Sequence, residues 1–166
     1  MSSVTEESWM FASVLRAEDP SIGKFHSNGL HTGIELGVAQ PIQQNWLIGS
    51  IPAPNPLEQW RINAVMIQYN IRGQLGMIDK IGIRDGNQTA ASFENLQIGP
   101  NSDWEIRKFP LPNPWDYRFG LGVNIHVTMT ENFGGPSVPP TQFLFTAIGL
   151  EFTKSTGGTG GTNPNP

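Results

Sequence analysis

Apolar and polar residues alternate most regularly over residues 119–130. Phe119, Leu121, Val123, Ile125, Val127 and Met129 are apolar, and Gly120, Gly122, Asn124, His126, Thr128 and Thr130 stand between them. A period of two sustained this long predicts a strand with one buried face and one face left to water or to a partner. Residues 142–152 follow a different pattern. Phe143, Phe145 and Ala147 fall on one side, and Leu144, Ile148, Leu150 and Phe152 fall on the other with Thr146. A strand apolar on both sides is expected to be buried on both or to cross an interface.

Two long strands are predicted at 60–71 and 75–84, with Gly73 and Gln74 between them at hairpin spacing. Asp85-Gly86-Asn87 makes the next tight turn. Weaker strands are expected at 9–15, 22–26, 30–38, 46–51, 91–98 and 104–109. No window keeps apolar residues at i, i+3, i+4 and i+7, so no helix is predicted. Two Pro-rich stretches, 51–56 and 109–115, read as connectors at sheet edges or between sheets, because proline cannot donate to a central ladder. Nine or ten short strands predict an all-β fold, an antiparallel two-sheet β-sandwich of jelly-roll type. The expected organisation is an N-terminal arm (1–8), the sandwich (9–153) and a Gly/Thr/Asn/Pro-rich tail (154–166). The tail has no apolar anchor, so order in it would need something to hold it, such as a neighbouring subunit.

A chain of 166 residues suits one domain with a core large enough to need no disulfide or metal. With no Cys, thiolate chemistry is excluded. The first residues lack a basic region followed by an apolar one, and the apolar runs are shorter than a membrane helix. The expectation is a soluble protein without membrane insertion, cytoplasmic or released as part of an assembly. The 10 Lys and Arg are scattered and net charge is −4, which argues against nucleic acid. Charged residues make up only 14% of the chain. A surface poor in charge is cheap to desolvate and suits an interface, although some β proteins have this composition without a partner.

The order of landmarks adds a resemblance. Asn45-Trp46 precedes Ile51-Pro52. Two long strands follow, then Ile83-Arg84-Asp85-Gly86, then Phe119-Gly120-Leu121-Gly122-Val123. The series closes on Phe145-Thr146-Ala147-Ile148-Gly149-Leu150-Glu151-Phe152. Over residues 9–152 the chain resembles a family of small bacterial β-sandwich proteins of unknown function. The resemblance implies a sandwich and brings no activity or ligand residues.

Candidate chemistry is sparse. His26, His31 and His126 would suit zinc or copper if brought together, but no short ligand spacing joins them. Asp79, Asp85, Asn87 and Asp103 are oxygen ligands near turns, and calcium is the cofactor they would suit; Asp-Gly-Asn is equally a plain turn. No G-x-S-x-G or phosphate-binding loop marks an enzyme, and the 14 carboxylates, any two of which could meet in the fold, decide nothing and leave hydrolysis as a third reading. Asn87-Gln88-Thr89 fits a glycosylation acceptor and reads as a turn.

The aromatics carry more. Trp46 and Trp60 are expected to plug the core. Trp104, Trp115, Asp116 and Tyr117 could present rings and hydrogen-bonding groups to a sugar. The leading expectation is a non-enzymatic protein that assembles with its own copies through edge strands and termini, using Trp9, Phe11, Phe143, Phe145 and Phe152. The alternative is a lectin-like, carbohydrate-binding sandwich with a glycan as partner.

Overall fold

The computed structural model describes residues 2–37, 43–55, 58–129 and 139–156. The strands are β1 (Ser2–Phe11), β2 (Arg16–Ala17), β3 (Lys24–Ser27), β4 (Thr32–Leu36), β5 (Gln44–Ile51) and β6 (Trp60–Arg72). They continue as β7 (Gly76–Asp85), β8 (Gln88–Phe93), β9 (Glu105–Asp116), β10 (Leu121–Met129) and β11 (Thr141–Thr156). One turn of 3-10 helix, Ala12–Val14, follows β1. The first sheet has the order β3-β4-β11-β6-β9, with β1 also paired to β11. The second has the order β2-β5-β10-β7-β8. The paired strands run antiparallel, and the two sheets form a β-sandwich.

The core lies between the sheets. Ile62, Val65, Ile67, Tyr69 and Ile71 of β6 face Ile78, Ile81 and Ile83 of β7 and Val123, Ile125 and Val127 of β10 across one buried cluster. Within β10 the alternation is the packing: Leu121, Val123, Ile125, Val127 and Met129 point in and Gly122, Asn124, His126 and Thr128 point out, whereas Phe119, apolar in the same series, stands before the strand and is 58% exposed.

The two apolar sides of β11 have a local cause. The register with β6 shifts between Phe145 and Ala147, where Phe145 pairs with Tyr69 and Ala147 with Gln68. The bulge inserts Thr146 and reverses parity. Phe143 and Phe145 before it, and Ile148, Leu150 and Phe152 after it, therefore share the core side and are fully buried. This corrects the expectation that Phe143, Phe145 and Phe152 serve assembly, since no part of them reaches the surface.

Three other expectations change. The N-terminal arm is most of β1, hydrogen-bonded along β11 from Ser2↔Thr156 to Phe11↔Ala147. The Pro-rich stretch 109–115 lies inside β9, the edge strand beside β6 among the described residues. The ladder is interrupted there, with Pro110 opposite Ala64 and Trp115 opposite Ile62, so Pro112 and Pro114 fall in the bulged stretch, where no ladder donor is required. Trp60 is buried, 6% exposed, but Trp46 points outward from the second sheet against His126. The tail beyond Thr156 lies outside the described residues.

Candidate functional site

The outward residues of β5, β10 and β7 form rows across the second sheet. Ser50 pairs with Gly122, which pairs with Arg84; Ile48 pairs with Asn124, which pairs with Gly82; Trp46 pairs with His126, which pairs with Lys80. Gly122 brings no side chain to this face, which is hollow there, and bare Gly82 lies one row along, outside the lining of the hollow. The hollow measures about 430 Å³ and is lined by Ile48, Ser50, Arg84, Gly122 and Asn124 with Gly86, Gly120 and backbone of β5.

Neither strand glycine answers a steric demand. A Cβ on Gly82 would come no closer than 3.9 Å to any neighbour, and one on Gly122 no closer than 3.4 Å, both ordinary contact distances. Strand-interior glycine costs roughly 0.5–1 kcal/mol relative to alanine, so here the fold loses stability and the groove gains depth.

The groove presents hydrogen-bonding groups that the protein leaves unused. Among the described residues, the side chains of Ser50 and Asn124 have no partner. Arg84 is held in place by neutral groups: Nη1 donates to Thr89 Oγ1 at 2.5 Å and Nη2 to the Asn87 carbonyl at 3.0 Å. At one end the Trp46 ring packs on His126, centroids 4.6 Å apart. His126 is 7% exposed, and its Nδ1 lies 2.5 Å from Asp79 Oδ1, a contact that fixes the imidazole. At the other end Phe119 is 58% exposed and lies over Gly86.

That end is anchored from beneath. The Asp85 carboxylate is buried and accepts hydrogen bonds from Trp115 Nε1 (3.2 Å), the Arg118 N–H (3.0 Å) and the Phe119 N–H (2.7 Å). Three donors converging on one carboxylate hold the segment leading into β10 and set where Phe119 stands.

The residues first expected to bind sugar are not brought together. Trp104 packs half-buried against His31, ring centroids 6.2 Å apart, at one end of β9. Trp115, near the other end, is half-buried and tied to Asp85. Asp116 forms an exposed ion pair with Arg61 at 2.6 Å. Tyr117 is buried, packs on Phe152, and donates to the Pro54 carbonyl at 2.6 Å; burial pushes its hydroxyl up to about 12. No flat platform results.

Trp9 and Phe11 do lie on the surface, on the outer face of β1, 38% and 75% exposed. His26 and His31 have ring centroids 6.0 Å apart, while His126 sits on the other sheet. Asp79, Asp85 and Asp103 each face a different partner: His126, the 115–119 segment, and the N–H of Trp104 at 2.7 Å. Among the described residues no three His, Asp or Glu side chains converge. No described helix is long and apolar enough to cross a membrane.

No protein-family model and no curated protein matches the chain. Among solved structures it is similar to a family 29 carbohydrate-binding module from Piromyces equi, 12% identical, over 93% of each chain with TM-score 0.42. It is similar also to the family 61 module TmCBM61 in complex with β-1,4-galactotriose, 10% identical over 87% of this chain and 86% of that one, TM-score 0.44. A CBM29-2 variant complexed with mannohexaose is 8% identical over 89% and 92%, TM-score 0.44. Likenesses this low assign no ligand to this chain.

Proposed function

We propose that the hollow outer face of the second sheet binds an oligosaccharide, and that the chain acts as a non-catalytic binding module. The observation that carries this reading is bare Gly122, which nothing in the packing requires, lining the hollow together with the side chains of Ser50 and Asn124, which have no partner among the described residues. A sugar ring offers hydroxyls that both donate and accept, and Ser and Asn do both. It also offers an apolar C–H face, which Ile48 and the rings of Trp46 and Phe119 can meet. A few placed polar groups among apolar contacts is the usual make-up of a ligand site. From Leu121 to His126 the face runs about 17 Å at strand rise, long enough for several sugar units. Among the described residues Arg84 is the one charged side chain lining the groove, and none of them sets a carboxylate beside it to act as general acid, which favours binding over hydrolysis.

Calorimetric titration against a panel of soluble oligosaccharides tests the reading. At least one member should bind, and Asn124→Ala and Gly122→Leu should each weaken it tenfold or more. A panel without any binder sinks the proposal.

Assembly through β1 is a second reading, favoured by one observation. β1 is a ten-residue strand paired on one side to β11, with Val4, Trp9 and Phe11 exposed and no proline, lysine or bulge along it. Unprotected edges of this kind pair with other strands. Light scattering across concentration decides it: a mass that stays at one chain removes the idea.

A further inference from the structure

We infer that the groove selects a sugar bearing a carboxylate, a uronic acid unit, and that Arg84 is the residue that reads it. The inference rests on the carbohydrate reading above and narrows it.

All ten Lys and Arg lie among the described residues, and seven are exposed. The three that are not are Lys80, Arg84 and Lys154. Lys154 is neutralised by Glu58 at 2.9 Å. Lys80 and Arg84 have no acidic partner among the described residues, whose ion pairs are Arg61–Asp116, Arg107–Glu105, Lys108–Glu151, His126–Asp79 and Lys154–Glu58. The two half-buried cations without a counter-charge therefore share one face, and it is the face with the groove.

Arg84 is also the better placed of the two. It lines the groove itself, beside bare Gly122 and one row from Asn124. Its bonds to Thr89 and to the Asn87 carbonyl cost it rotamer freedom but leave its charge whole. A guanidinium held still, partly desolvated and lacking a carboxylate is a ready partner for one, because its planar donors match the two oxygens. The nearest carboxylate in sequence, Asp85, is turned inward and engaged by three N–H groups. A neutral sugar would leave the Arg84 charge uncompensated under the ligand, whereas a uronate would neutralise it. Lys80, in the row beyond Asn124, adds positive potential along the same face.

The test compares oligogalacturonate with the same oligomer after its carboxyls are reduced to alcohols, by calorimetry at low and at moderate salt. The acid form should bind at least tenfold tighter, and the gap should narrow as salt rises. Arg84→Gln should erase the preference, and Arg84→Lys, which keeps the charge but loses the fork, should keep part of it. The reduced oligomer needs no mutation, so the comparison stands even if a variant folds poorly. Equal binding of both oligomers, unmoved by Arg84→Gln, overturns this inference and leaves the carbohydrate reading intact. Binding of sulfated but not carboxylated sugars overturns it as well. If neither oligomer nor any other glycan binds, both readings fall together.

Discussion

The two outer faces of this sandwich are built from similar strands and end up opposite in character. On the first sheet, β1 lays Trp9 against Gly149, where a Cβ would come within 2.8 Å of the indole. Leu144 covers Gly33, whose own Cβ would meet the Phe143 carbonyl at 2.3 Å. Lys108 pairs with Glu151, Arg61 with Asp116, and Gln142 donates to Glu35 at 2.9 Å. That face carries ion pairs and close packing, although Asn63 Oδ1 on the same sheet is buried without a partner among the described residues. On the outer face of the second sheet Gly82 and Gly122 are uncovered, and among the described residues Ser50 and Asn124 are unpaired and Arg84 has no acid. Glycine in a strand can therefore mark close packing or deliberate space, and only its neighbours distinguish the two.

The sharpest check sets glycine against glycine. Gly33→Ala should cost about 3 kcal/mol or more, because the obstacle is backbone that cannot swing aside. Gly82→Ala should be neutral or stabilising by up to about 1 kcal/mol, since space is open and the unfolded chain loses freedom. Urea midpoints of the two variants measure both. Equal costs would erase the contrast drawn between the faces.

The second check asks how the open face is held. It has no covering side chains of its own, so its shape at the Phe119 end depends on Asp85 beneath. Asp85→Ala should cost about 2–3 kcal/mol by leaving three N–H donors without their carboxylate. It should also release Phe119, seen as faster amide exchange at Arg118 and Phe119. A variant of unchanged stability would mean that the loop is held by something else.

Much of this contrast was legible in the chain, though not all of it. The alternation over 119–130 gave β10, its inner face and the polar outer face with Gly122, Asn124 and His126. That outer row was the signal for the groove. What hid the site was that its other members, Ile48, Ser50 and Arg84, come from β5 and β7, and cross-strand register is set by long-range pairing that no local pattern encodes. Trp46 reads as core from the chain alone, because a large apolar residue next to Leu47 looks the same on either face. The bulge at Thr146 misled in the opposite sense: strict parity split Phe145 from Ile148, while one inserted residue puts them side by side in the core. Trp115 and Tyr117 drew attention by composition, yet their polar atoms are spent on Asp85 and on Pro54.

The third check moves from stability to binding. Gly122→Leu places a side chain in the hollow without touching the core, so glycan affinity should fall tenfold or more while the urea midpoint stays within about 0.5 kcal/mol of the parent. Trp46→Ala should weaken binding less, by several-fold, because the ring stands one row beyond the groove lining. Loss of binding together with loss of fold in Gly122→Leu would show that the glycine is structural after all, as Gly33 is.

The smallest effect closes the comparison from the other side. Lys108 and Glu151 pair across β9 and β11 on the first sheet, with side chains 46% and 16% exposed. With the ammonium in reach of water the pair contributes about 0.5–1 kcal/mol, since solvent screens it and two side chains lose freedom in making it. Lys108→Ala should therefore shift the melting curve barely, and the shift should shrink further in added salt. It should leave glycan affinity unchanged, because the residue lies on the sheet opposite the groove. Arg84→Gln should do the reverse, moving affinity for acidic sugar far more than stability. Two cations on equivalent strands would then differ only in whether the protein supplied the counter-charge. If Lys108→Ala weakened sugar binding and Arg84→Gln did not, the ligand would have to sit on the first sheet, with Trp9 and Phe11 as its rings.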